Sequence, residues 1–191
     1  MRYIKILGLA AIAATALMAH TSAASATIIE NGAGSKLGKG TVIESTGTNA
    51  VLQAGFATIE CPHSEVDGVT SNAGGIGVPV EGNITTLAFT GCNATVKTLK
   101  TGKLILHHTS GTNGTVTSEG AEVTVAIGST SCVYGTPSAT DIGSLTGGSP
   151  ATLNANTSLT RISGGFLCAN PATWTASYTV TVPNTLKVTA S

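Results

Sequence analysis

The chain has 191 residues, nine Lys or Arg against nine Asp or Glu, and only 9% of its residues are charged. Phosphate contacts need clustered Lys and Arg, so this composition argues against a nucleic-acid partner. A surface this poor in charge is solvated by Thr, Ser, Asn and backbone, which suits β-sheets, extracellular surfaces and assemblies.

The N-terminus reads as a cleavable signal peptide over residues 1–26. Arg2 and Lys5 form a short positive segment, Ile6 to Ala19 is apolar except at Gly8 and Thr15, and Ala24-Ser25-Ala26 is the small-x-small pattern of a signal peptidase site. Cleavage is expected after Ala26, with Ala24 as the next choice. The apolar run is about 14 residues, short of the ~20 that span a bilayer, and no Cys follows it for a lipid anchor. No later segment reads as a membrane-spanning helix. The expected location is secreted or on the outer cell surface, with the periplasm as a further possibility. Removing 26 of 191 residues leaves 165, with seven basic and nine acidic side chains, about one domain.

Past the leader, helix signals are scarce and period-2 alternation recurs. Residues 27–40 are glycine-rich and read as a flexible N-terminal arm, able to add a strand to a neighbouring subunit. Residues 41–191 read as a single antiparallel β-sandwich, immunoglobulin-like or jelly-roll in type. Its expected strands begin with Val51 to Glu60 and Asn83 to Thr90. Ala94 to Leu99 and Lys103 to His108 flank Lys100-Thr101-Gly102, a hairpin-turn signal. Gly114 to Ser118 and Ala121 to Ile127 flank a second turn signal, Glu119-Gly120. Residues 136–150 read as a long loop, or a loop with a short strand. Leu153 to Ile162 alternates, with Arg161 oddly placed on the face of Leu153 and Leu159. Ala172 to Val182 is the clearest strand: Trp174, Ala176, Tyr178, Val180 and Val182 fall on one face, with Thr and Ser on the other. Pro183-Asn184 then turns into a closing strand at Leu186 to Val188.

The four cysteines, Cys61, Cys92, Cys132 and Cys168, all follow the leader, and an even count in an exported chain reads as two disulfides. Three pairings are possible. Cys61–Cys92 and Cys132–Cys168 is favoured because the two pairs enclose similar lengths, 30 and 35 residues. Each is expected to stabilise by about 3–4 kcal/mol in the chain-entropy model. The paired CxxC or Cys/His spacing of a zinc site is absent.

The segments GTNGTVTSEGAEVTV (111–125), SCVYGT (131–136), TDIGSLTGGSPATL (140–153) and GGFLCANPATWTASYTVTVPNTLKV (164–188) together resemble a group of small secreted four-cysteine bacterial β proteins of unassigned function. That resemblance runs from about Thr58 onward and brings no active-site residues. ITTLAFTGCNA (84–94), behind a signal peptide, is more loosely similar to secreted activators of alkane oxidation. It would imply a surface or secreted factor that helps cells contact hydrocarbon.

No catalytic residue, metal site or cofactor emerges from the sequence. There is no GxSxG elbow, DxDxDG loop or P-loop. His63, Glu65 and Asp67 gather two carboxylates and a His after Cys61, and form the one candidate polar site. His107 and His108 are adjacent in a strand and point to opposite faces. The aromatics Phe56, Phe89, Trp174 and Tyr178 are expected in the core rather than on a ligand platform. The reading that follows is a non-enzymatic secreted or cell-surface protein acting at hydrophobic interfaces or in the extracellular matrix. The alternatives are a pilus or filament subunit assembling through its arm, and a secreted hydrolase. The partner classes left are self-association and a hydrophobic surface.

Overall fold

The computed structural model describes residues 26–55 and 57–190. The export segment therefore lies outside the described residues apart from Ala26, and so does Phe56. The described residues contain strands and no helix: β1 (Ala26–Glu30), β2 (Val42–Gly55), β3 (Thr58–Thr70), β4 (Gly75–Ile76), β5 (Val80–Thr90), β6 (Thr95–Lys100), β7 (Lys103–His108), β8 (Gly114–Glu119), β9 (Glu122–Ile127), β10 (Thr130–Gly135), β11 (Thr140–Thr146), β12 (Thr152–Gly164), β13 (Cys168–Val182) and β14 (Lys187–Thr189). The all-β class and both disulfides match the sequence reading, and the pairing is Cys61–Cys92 and Cys132–Cys168.

The sandwich expectation gives way to a closed barrel. The ladder runs β11-β8-β7-β5-β3-β2-β13-β12, and β11 pairs again with β12, so the sheet closes on itself. Alternation buries one face of each strand in either architecture and cannot say which strands are neighbours. Five long strands, β2, β3, β5, β12 and β13, run the length of the barrel, and the shorter strands complete it in two tiers. Along one edge of β12, Thr152 to Ala155 pair with β11, whereas Thr160 to Gly164 pair with β10. On β5, Val80 to Asn83 pair with β7, and farther along Thr98 Oγ1 of β6 donates to the Leu87 carbonyl. Thus β7, β8 and β11 complete one end, and β6, β9 and β10 the other.

Both central turn signals are corrected by this arrangement. Strands β6 and β7 do not pair, nor do β8 and β9; the chain passes between tiers at both places. The two passages touch. A Cβ on Gly102 would lie 2.5 Å from the Ala121 nitrogen and 2.5 Å from the Glu119 carbonyl oxygen, and Gly102 and Gly120 have φ of 71° and 78°. Glycine is required there for close backbone approach and for left-handed φ, not for a hairpin. A tight hairpin sits instead at Gly128-Ser129, between Ile127 and Thr130. The expected single strand from Val51 to Glu60 belongs to two strands, β2 ending at Gly55 and β3 beginning at Thr58, and residues 136–150 contain β11.

The N-terminal arm is a correction too. Ala26–Glu30 is strand β1, paired with β14 and β4 in a small separate sheet. Ile28 and Ile29 are buried, as are Val188 of β14 and Leu186 before it. This sheet caps the end of the barrel where β5 begins, with Thr27 Oγ1 accepting from the His108 amide at 3.0 Å. Only the glycine-rich stretch after β1 is irregular.

The expected faces of β12 and β13 hold except at Val182, which is exposed beyond a register shift after Val180. Leu153, Ala155, Leu159, Ala176, Tyr178 and Val180 are buried, while Asn154, Asn156, Ser158, Thr173 and Ser177 are exposed. Polar-out and apolar-in on these two strands is the reverse of the pattern in a membrane-spanning barrel. No helix among the described residues is long and apolar enough to cross a membrane.

Candidate functional site

Inward residues of the long strands form lateral rows. One runs Leu153, Tyr178, Gly47, Ser64, Phe89 across five adjacent strands. Gly47 makes room for its neighbour: a Cβ there would lie 2.6 Å from Tyr178 Cε1 and 2.3 Å from Ser64 Oγ. A second row runs Thr157, Trp174, Leu52, Ile59. Trp174 meets Phe89 edge to face, with ring centroids 5.3 Å apart. Of the aromatics expected in the core, Tyr178 is buried, and Phe89 and Trp174 are half-buried against it.

These rows do not fill the barrel. A cavity of about 110 Å³ lies against Trp174, Phe89, Tyr134 and Tyr178, and another of about 100 Å³ against Val80, Leu106, Val180 and Leu186. Val66, Ile84, Leu104 and Leu153 line both, so the two cavities lie side by side in the barrel interior with these side chains between them. An eight-stranded barrel is wide enough to be filled by side chains or to hold one small ligand. An apolar cavity of ~150 Å³ stays dry and takes benzene or xenon; each of these two is somewhat smaller.

Polar groups at the lumen's margin are mostly engaged with one another. Ser118 and Thr136 hydroxyls share a hydrogen bond at 3.0 Å, and Glu122 pairs with Lys100 at 2.6 Å. Thr157 donates to the Asp141 carbonyl, Thr70 to the Gly38 carbonyl and Ser45 to the Val66 carbonyl. Asp67 accepts from the Ser45 amide at 3.3 Å. The exceptions among the described inward hydroxyls are Ser64 and Tyr134; Tyr134 is a wholly buried side chain whose hydroxyl approaches the Ala169 amide without reaching hydrogen-bond geometry. Burial pushes the Tyr134 phenol above the usual tyrosine range, against the pull of nearby Arg161. Arg161 itself finds no carboxylate: its Nη1 donates to the carbonyls of Cys168 (2.7 Å) and Gly165 (3.1 Å), bracing the β12–β13 turn.

The polar trio read from the sequence does not form one site: its members are spread along β3, with Asp67 at the margin of the second cavity. His63 and Glu65 are exposed and Asp67 is half-buried on β3. Hydrogen bonding to Asp67 and its like charge lift the Glu65 carboxyl above the ordinary range, and Glu44 across the ladder adds to the repulsion. Among the described residues no three His, Cys, Asp or Glu are grouped to hold a metal. His107 is exposed; His108 Nε2 lies 3.2 Å from the Gly111 carbonyl.

Tyr134 and the aliphatic lining from β5, β7 and β9 were not singled out as site residues in the sequence. The signal available was the alternation of Cys132 and Tyr134 in β10, but alternation marks a buried face, not an unfilled interior. Compared with protein-family models, curated proteins and solved structures, the chain has no significant match in any of the three.

Proposed function

We propose that this is an exported, non-enzymatic protein that binds a small neutral apolar molecule inside its barrel. The observation that carries this reading is the pair of adjoining cavities inside the barrel, walled by aliphatic and aromatic side chains with most of their marginal polar groups already paired. A charged or strongly polar ligand would lose its hydration there without finding partners. Two disulfides fit an oxidising compartment and so support export. A filament subunit exchanging β1 would have to withdraw buried Ile28 and Ile29 from its own cap, which weighs against that alternative.

The chain has one tryptophan, and it lines the lumen. Titration with toluene is therefore expected to change Trp174 emission saturably and to raise the melting temperature. At a hundred times Kd the added stability is about 2.7 kcal/mol. Ala155→Phe places a ring in the cavity beside Trp174 and is expected to weaken binding at least tenfold. Wild-type protein with neither a saturable emission change nor a raised melting temperature would refute the reading.

A further inference from the structure

We propose that ligands reach the lumen from the end bearing the β2–β3, β9–β10 and β12–β13 turns, past Tyr134, and not through the capped end. This rests on the reading of the lumen as a binding site. A third, small cavity of about 10 Å³ lies beyond the Trp174 cavity, against Ala54, Ala57, Ile127 and Thr130. It shares Ile59, Val125 and Tyr134 with the Trp174 cavity, so these residues stand between the lumen and the turns. Ile127, at its outer side, is 37% exposed. Tyr134 starts on β10 and its hydroxyl reaches towards Ala169 at the start of β13, so the ring spans the passage. That hydroxyl holds no hydrogen bond, and swinging the ring aside breaks none. The other end differs. Ile29 and Val188 are fully buried there and face each other across the β1–β14 ladder, so opening it means unzipping backbone pairs. The open end is also apolar at its surface: Phe166 is 93% exposed, with Leu167 and Ile162 partly exposed beside it.

The test is stopped-flow mixing with toluene, followed by Trp174 emission excited at the red edge. Tyr134→Ala is expected to raise the association rate about tenfold, as for a lowered entry barrier, apart from any change in Kd through the wall that Tyr134 forms. Because loss of a buried tyrosine also threatens folding, Ile127→Tyr serves as a second variant at the outer side; it is expected to slow both association and dissociation rates. Ile76→Tyr, exposed on the capping sheet, is expected to leave them alone. Slowing by Ile76→Tyr with no effect of Ile127→Tyr would overturn the route while leaving the lumen intact as a site. Absence of any wild-type response would overturn both.

A separate observation bears on processing. We infer that the leader is removed after Ala24 rather than after Ala26, given the signal peptide expected from the sequence. Ala26 pairs with Ile76, and Thr27 is 5% exposed and bonded to the His108 amide. Cleavage after Ala26 would leave an α-ammonium on buried Thr27, and burying an unpaired charge is strongly unfavourable. Ser22-Ala23-Ala24 also satisfies the small-x-small pattern, and places the charge two residues farther out. The intact mass of the exported protein decides: a chain beginning at Ser25 is expected, and one beginning at Thr27, or retaining the leader, overturns the inference.

Discussion

Gly47 shows how one missing Cβ shapes the interior. The Tyr178 ring and the Ser64 hydroxyl occupy the space that any larger residue would need. Gly47→Ala is expected to destabilise by about 1–3 kcal/mol, the usual cost of overpacking a fixed core, measured by urea denaturation; an unchanged midpoint would show that the ring moves aside freely. Tyr178 and Tyr134 make a second prediction. Burial raises both phenols above their ordinary value, with the Ser64 hydroxyl pulling Tyr178 the other way. A raised folded-state pKa means stability that is complete below the unfolded value and lost as pH rises through the folded one. Phenolate absorbance at 295 nm is therefore expected to appear late, together with alkaline unfolding, rather than at the ordinary tyrosine pKa. For exposed Glu65 the same sign applies at acid pH: the repulsion from Asp67 and Glu44 builds as pH rises through its raised pKa. Glu65→Gln is expected to raise the melting temperature slightly at pH 7 and to lose that advantage under acid conditions where Glu65 is protonated.

At the scale of the element, the turn between β12 and β13 is held from several sides. Cys132 lies opposite Gly164 in the ladder, and Cys132 bonds to Cys168 across it. A Cβ on Gly164 would lie 2.4 Å from Cys168 Sγ, and its φ is 128°. The strand ends in glycine so that the disulfide can pass over it. Gly164→Ala is accordingly expected to lower both the melting temperature and the yield of correctly oxidised protein, assayed by free-thiol titration. The other disulfide closes the β3–β5 side. Next to it, the Asn93 side chain accepts from the Glu60 amide and donates to the Thr58 carbonyl, on the edge of β3 away from its ladder with β2. Replacing Cys61 and Cys92 together by Ala is expected to cost about 3–4 kcal/mol, and a loss below about 1 kcal/mol would mean that the ladder alone holds this edge.

For the molecule as a whole, the two tiers explain why the interior is not filled. Long strands run through both, while short ones complete each end and cross between tiers at Gly102 and Gly120. On β2 the phase of burial changes at Asn49, which has a φ of 53°. Ser45 and Gly47 are buried on one side of it, and Ala50, Leu52 and Ala54 on the other. No reading based on strict alternation could follow this strand across that point, and β2 before Val51 was accordingly missed. The faces of β12 and β13 were readable because period-2 patterning runs through most of their length, from Leu153 to Leu159 and from Ala172 to Val180. The oddly placed Arg161 was readable as an anomaly, but its carbonyl partners come from the turn beyond it.

What the sequence by itself determined is the strand-forming character of the chain, most of the faces of its regular strands and the expectation of two disulfides among four cysteines, because alternation and composition are local properties of the chain, whereas which cysteines meet was settled by the fold. What only the tertiary structure decided is that the strands close into a barrel, that the N-terminal segment caps it, and that a lumen remains inside. Those follow from which strand edges meet. Strand β11 finds β8 on one side and β12 on the other, and the volume enclosed depends on every strand at once.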